Sequence, residues 1–296
     1  TRLCHASSVA ALMETIGSGA VTAPFSEALN SDVLLVIGAN PAENHPVAAT
    51  FFKNAVDNGT ALIVVDQRGQ VLKNHCKHMV CNKPGTDVAL LNAIMHVVIK
   101  EGMYDHEFVA QRTEGFVELR EHLKRFSPDS VAAQCGISAD QIVACARAFG
   151  KAKNAMIFWG MGISQHIHGT DNARCLIALA LLTGQIGRPG PGLHPLRGQN
   201  NVQGASDAGL VPMLYPDYQS VSDVQSREFF EEFWDCKLNP DPGLTVVEIA
   251  DAAHDGTIKG MYVMGENPAM SDPNLNHARE ALSRLEHLVV QDIFFT

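Results

Sequence analysis

An α/β fold with mainly parallel sheets is predicted by three features of this 296-residue sequence. Uninterrupted apolar runs alternate with helix-period segments, the pattern of parallel strands covered by helices on both faces. A strand-like run ending in Gly-x-Asn-Pro occurs twice, as Val33-Leu34-Leu35-Val36-Ile37-Gly38-Ala39-Asn40-Pro41 and as Gly260-Met261-Tyr262-Val263-Met264-Gly265-Glu266-Asn267-Pro268. Each copy is followed, after nearly the same interval, by a second apolar run with a polar end: Ile63-Val64-Val65-Asp66-Gln67 and Leu288-Val289-Val290-Gln291-Asp292. Together these predict two Rossmann-like, three-layer αβα domains related by an internal repeat. In such sheets ligands bind at the C-terminal edge of the strands, and the acid or amide ending the next strand often reads a ribose or base. Two units therefore predict two nucleotide half-sites.

The elements follow in order. A helix is expected around Ser8–Glu14, a strand over 32–38, and a helix from Pro46 to Asn58, with proline early in the helix where its missing donor matters least. A strand at 61–66 precedes another apolar run at His78–Cys81. Lys83-Pro84-Gly85-Thr86-Asp87 is a turn that feeds a helix from Val88 to Glu101, with Thr86 or Asp87 as its cap. Residues 105–151 read as a helical block, with capped starts at Ser127-Pro128-Asp129 and Ser138-Ala139-Asp140 and a stop at Cys135-Gly136. A strand at Ala155–Trp159 ends in Gly160-Met161-Gly162, and a long helix runs from Thr170 to Thr183. Residues 184–207, rich in glycine and proline, are expected to be a loop, either linker or functional. A domain boundary is placed at Gly198, giving domains 1–198 and 199–296. The closing run at Leu288–Asp292 is expected to be a buried strand.

Composition narrows the function. With 22 basic and 32 acidic residues the net charge is −10, and no basic stripe is present, so nucleic acid is not expected as a partner. No apolar run reaches the ~18–20 residues of a membrane span. Seven scattered cysteines form no disulfide framework and suit a reducing compartment such as the cytoplasm. The spacing of His75, Cys76, His78 and Cys81 fits no common zinc pattern.

Three segments carry chemistry. Gly160-Met161-Gly162-Ile163-Ser164-Gln165 is a loose glycine-rich turn after a strand, where a backbone can approach a pyrophosphate. Leu196-Arg197-Gly198-Gln199-Asn200-Asn201-Val202-Gln203-Gly204 crowds amides and an arginine between glycines, which suits a polar ligand, and Arg197 can grip a carboxylate in bidentate fashion. Cys4-His5 pairs a potential thiolate ligand or nucleophile with a proton-moving imidazole; a buried structural cysteine is the plainer alternative. His45, His166 and His168 read as local hydrogen-bonding or surface residues.

Taken together, these segments resemble the catalytic subunit of molybdenum- or tungsten-dependent formate dehydrogenases, in the family that binds bis-(molybdopterin guanine dinucleotide). The most specific parts are Leu3-Cys4-His5, His194-Pro195-Leu196-Arg197-Gly198-Gln199-Asn200-Asn201-Val202-Gln203-Gly204, and the two Gly-x-Asn-Pro units. The resemblance implies that Cys4 is the metal ligand, that His5 handles the proton and that Arg197 orients formate. It places Gly38, Asn40, Glu43, Asp66, Arg68, Met161, Gly162, Gln165 and Gln199 beside the cofactor. Gly265, Glu266, Asn267, Ser271, Gln291 and Asp292 match the second guanine arm, with Asn267 standing where some relatives carry Asp.

The resemblance implies formate oxidation to CO2, reversible in principle, with electrons leaving through a [4Fe–4S] cluster to partner subunits bearing iron–sulfur or flavin centres. The cluster domain and a C-terminal domain closing over the pterins are absent from this stretch, so it is expected to be the central part of a longer subunit, inactive by itself. Rival readings are an oxyanion oxidoreductase such as a nitrate reductase, and a non-catalytic scaffold subunit of the same family. A nicotinamide-binding module is disfavoured, because no Gly-x-Gly-x-x-Gly opens a first βαβ unit.

Overall fold

The structure is a computed structural model and describes residues 4–296. The chain forms two compact units, Cys4–Asn200 and Asn201–Thr296. In the first, five parallel strands, β1 (Val33–Ile37), β2 (Ala61–Val65), β3 (His78–Val80), β4 (Ala155–Trp159) and β5 (Gly192–Pro195), lie in the order β3-β2-β1-β4-β5. β1 and β4 are buried along their whole length, as apolar runs with no polar alternation require.

Strand side chains alternate between two cores, which produces the three layers. Val33, Leu35 and Ile37 meet α1 (Ala6–Ile16) and, further along, the α4 (Asp87–Lys100) and α10 (Gly169–Leu182) layer. Leu34 and Val36 meet Phe52 on the other face, in α3 (Pro46–Asp57), which follows the short α2 (Pro41–Asn44). The helical block is α5 (His106–Arg112), α6 (Phe116–Leu123), α7 (Pro128–Cys135) and α8 (Ala139–Gly150). Its capping follows the sequence: Ser127 accepts from Ser130 N–H, Ser138 and Gln141 form a reciprocal capping box, and Gly136 stops α7 in the left-handed region. The one-turn α9 (Met161–Ser164) follows β4 directly.

Residues 184–207 depart from the expected loop. They contain β5, hydrogen-bonded to β4, and α11 (Val202–Asp207). Among the described residues β5 pairs with a strand on one side only, so glycine and proline are tolerated there, and these residues conceal it from any hydrophobic pattern.

The second unit continues with α12 (Val224–Trp234), α13 (Val246–His254), β6 (Gly260–Met264), α14 (Pro268–Ser271), α15 (Leu275–Ser283) and β7 (His287–Gln291). β6 and β7 are parallel, and α13 and α15 carry the buried Ala253, Ala278 and Ala281. The expected burial of the last strand is not found: β7 is exposed throughout. A parallel strand is buried by layers packed on both of its faces, and among the described residues β7 pairs with β6 alone in a two-stranded sheet. Among the described residues, no helix is long and apolar enough to cross a membrane.

Candidate functional site

The C-terminal ends of all five strands of the first sheet open on one cleft, a cavity of about 530 Å³. It lies where strand order reverses between β1 and β4, the crevice that doubly wound sheets use for ligands. Three glycines make the approach possible. Gly38 leaves β1 with φ +57°, and a Cβ added there would stand 2.8 Å from the backbone of Gly162. A Cβ on Gly160 would stand 2.7 Å from the Gly38 carbonyl oxygen. The two strand exits therefore touch backbone to backbone, and Gly162 N–H donates to Gly38 O at 3.0 Å.

Seven of the expected residues line this cleft: Cys4, Gly38, Asn40, Asp66, Arg68, Met161 and Gly162. Cys4 Sγ lies 3.8 Å from Met161 Sδ. Asp66 follows β2 and accepts from Arg68 N–H at 2.8 Å and from Gln70 Nε2 at 3.1 Å. Gln70 also donates to Ala39 O at 2.6 Å, which ties the β2 exit to the β1 exit. Glu43, Gln165 and Gln199 are exposed and lie outside the cleft lining. Arg197 is not in the lining, although Leu196 and Gly198 on either side are; its Nη2 donates to Gly19 O at 2.8 Å.

His5 is buried, 2% exposed, at the start of α1. Nε2 donates to Leu196 O at 2.8 Å, and Nδ1 meets Ser164 Oγ at 2.9 Å and Ser8 Oγ at 3.1 Å. Burial lowers its pKa to about 4, partly offset by the Leu196 carbonyl, while the nearby Arg197 and His45 add to the lowering. Both ring nitrogens are engaged within the protein, so the geometry holds a neutral imidazole, with no nitrogen turned to the cleft.

Several lining residues were not singled out for the site from sequence. Asp87, at the start of α4, is 4% exposed, and its Oδ2 has no partner; Asn82 Nδ2 donates to its Oδ1 at 3.2 Å. Asn40 Oδ1 and His45 Nδ1 are likewise buried without partners. Unpaired buried acceptors are costly, so Asn40 and Asp87 in a cleft wall suit a ligand that brings N–H donors. The signal for Asp87 was present in Lys83-Pro84-Gly85-Thr86-Asp87, an acid beginning a helix just past the end of a strand.

The remaining expected residues gather in the second unit at the ends of β6 and β7. Gly265, φ +65°, donates its N–H to Gln291 O at 2.9 Å, as Gly38 donates to Val65 O at 2.9 Å. Asn267 has φ −121° and ψ 81°, against −116° and 74° at Asn40. Ser271 N–H bonds Asn267 O at 3.0 Å, as Asn44 N–H bonds Asn40 O at 3.0 Å. Asp292 Oδ1 accepts from Phe294 N–H, two residues on, in the manner of Asp66. The Gln291 side chain accepts from the Tyr262 hydroxyl, and Glu266 is exposed.

A parallel sheet reversing at an open, glycine-lined cleft defines a doubly wound α/β protein of the kind that holds nucleotide cofactors. The chain belongs to the molybdopterin oxidoreductase family, which it matches over residues 1–296. It is 43% identical over 295 residues to the F420-dependent formate dehydrogenase subunit alpha of Methanocaldococcus jannaschii, covering all of this chain and 43% of that protein. Formate dehydrogenase H of Escherichia coli is 42% identical over 296 residues, again across this whole chain and 41% of the relative. The chain thus spans about two-fifths of the length of these relatives. Among solved structures, acetylene hydratase from Pelobacter acetylenicus shares the fold with a TM-score of 0.74 at 22% identity, covering 96% of this chain and 41% of that one. Family membership makes the cofactor class molybdopterin.

Proposed function

We propose that this chain supplies the cofactor-binding α/β units of a formate dehydrogenase that oxidises formate to CO2 at a molybdenum or tungsten centre. The observation that carries the reading is the repeated strand exit, Gly38-Ala39-Asn40-Pro41 and Gly265-Glu266-Asn267-Pro268, with nearly identical backbone geometry in both units. A bis-(molybdopterin guanine dinucleotide) has two guanine arms, and each exit takes one. The first cleft suits such a ligand: the close-packed exits at Gly38, Gly160 and Gly162 line it with backbone free of side chains that a phosphate can approach, and the unpartnered Asn40 and Asp87 oxygens would accept from guanine N–H groups.

A bound metal centre would supply the acceptor for the two electrons of the formate C–H bond, with the proton released as CO2 forms. Cys4 supplies its thiolate ligand from the cleft wall. Arg197 orients the formate carboxylate, giving the local positive charge that an acidic protein otherwise withholds. A [4Fe–4S] cluster outside this chain would pass the electrons on to partner subunits. The names of the relatives at 42–43% identity support formate over other oxyanions.

The test is dye reduction by the holoenzyme with formate, and with nitrate and reduced dye, alongside mass spectrometry of the extracted pterin and assay for both metals. Formate turnover with a guanine dinucleotide pterin is expected. Nitrate turnover without formate turnover would transfer the protein to the oxyanion reductases, and a metal-free preparation to the scaffold subunits.

A further inference from the structure

Two histidines from separate parts of the chain bond consecutive carbonyls of one short segment. His5 places Nε2 2.8 Å from Leu196 O, and His45, between α2 and α3, places Nε2 2.6 Å from Arg197 O. A carbonyl only accepts, so both Nε2 atoms carry a proton and donate. Behind His5, Trp159 Nε1–H donates to Ser8 Oγ at 2.8 Å, the Ser8 and Ser164 hydroxyls bond each other at 2.7 Å, and both face Nδ1, Ser164 at 2.9 Å and Ser8 at 3.1 Å. The Leu196 carbonyl fixes the proton on Nε2, which leaves Nδ1 to accept from these hydroxyls.

The segment so held is the exit of β5. Leu196 N–H makes a sheet-type bond to Trp159 O at 2.8 Å, and the next residues turn along the cleft rim, where Leu196 and Gly198 stand in the wall with Cys4 and His45. Glycine at 198 has no neighbour within 4 Å of an added Cβ, so side-chain packing does not hold the turn there. Leu196 itself is anchored in the core, and beyond it the bond from His45 to the Arg197 carbonyl and that from Arg197 Nη2 to Gly19 O hold the turn.

We propose that His5 and His45 form a clamp on the Leu196–Arg197 carbonyls, acting as positioning residues that set where Arg197 and Gly198 lie relative to Cys4. The assignment rests on the reading of Arg197 as the formate-orienting residue and Cys4 as the metal ligand. It gives His5 a role in which its Nε2 proton is retained. It also joins the Cys-His pair to the Arg-Gly segment, far apart in sequence: the histidine beside Cys4 holds the residue beside Arg197.

His45 is the half to test, since His5 is enclosed and its replacement endangers folding. In the holoenzyme, His45→Leu removes the donor, whereas His45→Gln offers an amide N–H at similar reach. Losing one hydrogen bond of about 1.4 kcal/mol corresponds to about tenfold. His45→Leu is therefore expected to raise deuterium uptake rate in the 193–204 peptide and the formate KM by about that factor, with kcat within about threefold and metal and pterin content retained. His45→Gln is expected to return exchange and KM most of the way to wild type. Unchanged exchange at 193–204 in His45→Leu overturns the clamp, as does equal loss in both variants or a fall in kcat at constant KM. The exchange readout needs no turnover. Wild-type holoenzyme inert to formate removes the formate reading and leaves the clamp to be judged by exchange; formate turnover with unchanged exchange removes the clamp alone.

Discussion

At the scale of single residues, His5 couples the site to the stability of the fold. Its pKa is about 4 in the folded chain, lowered by burial, against 6.5 when solvated. Between those values the unfolded chain binds a proton that the folded chain refuses, so stability rises with pH through the window and is lost as pH falls from 6.5 towards 4. The shift corresponds to at most about 3 kcal/mol. His194, also lowered mainly by burial and donating Nδ1–H to Ala23 O at 2.8 Å, acts in the same direction. Urea midpoints between pH 7 and pH 4.5 should fall more steeply for wild type than for His5→Asn, which has no imidazole to charge. Parallel curves would mean that carboxylates alone set the slope. From sequence, His5 reads as a proton carrier through its adjacency to Cys4; the contact of its ring with Ser164, 159 residues away, is visible only in the fold.

At the scale of elements, the two strand exits allow a controlled comparison. Gly38 and Gly265 share a positive φ, but only Gly38 is pressed against another backbone. Alanine at 265 should cost about 1 kcal/mol from the left-handed conformation alone. Alanine at 38 adds the collision with Gly162 and should cost roughly 3 kcal/mol or more in total. Denaturant unfolding of the two variants checks the difference; equal losses would mean that the contact between the β1 and β4 exits relaxes freely. Elements of this kind were legible because their signals are local. Buried runs, Gly-x-Asn-Pro exits and the serine caps of α7 and α8 are written in adjacent residues. β5 was hidden because Gly192, Pro195 and their neighbours carry no period, and only pairing with β4, more than thirty residues earlier, makes them a strand. Asp87 read as a cap for the same reason: its unpartnered oxygen is a property of the cleft, which forms only when five strand ends meet.

At the scale of the molecule, the internal repeat becomes a statement about function. The shared Gly-x-Asn-Pro sequence restricts Asn40 and Asn267 in the same way, and Asp66 and Asp292 each bond the N–H two residues on. Under the function proposed above, the two exits would also share a ligand chemistry. The chain as a whole carries a net charge of −10, so a cofactor with two diphosphate arms, as proposed, would be drawn by local groups, glycine-lined backbone and Arg68 among them, and not by the overall field. Comparing cofactor-loaded with cofactor-free protein by deuterium exchange separates two designs. Binding stabilises what it touches by mass action, about 2.7 kcal/mol at a hundredfold excess over Kd. If each exit holds one guanine arm, peptides covering 33–45 and 260–272 should both slow on loading, by about tenfold or more, while the solvent-facing helical block at 105–135 stays unchanged. Slowing at 33–45 alone would confine the cofactor to the first cleft and leave the second copy of the repeat as a structural unit.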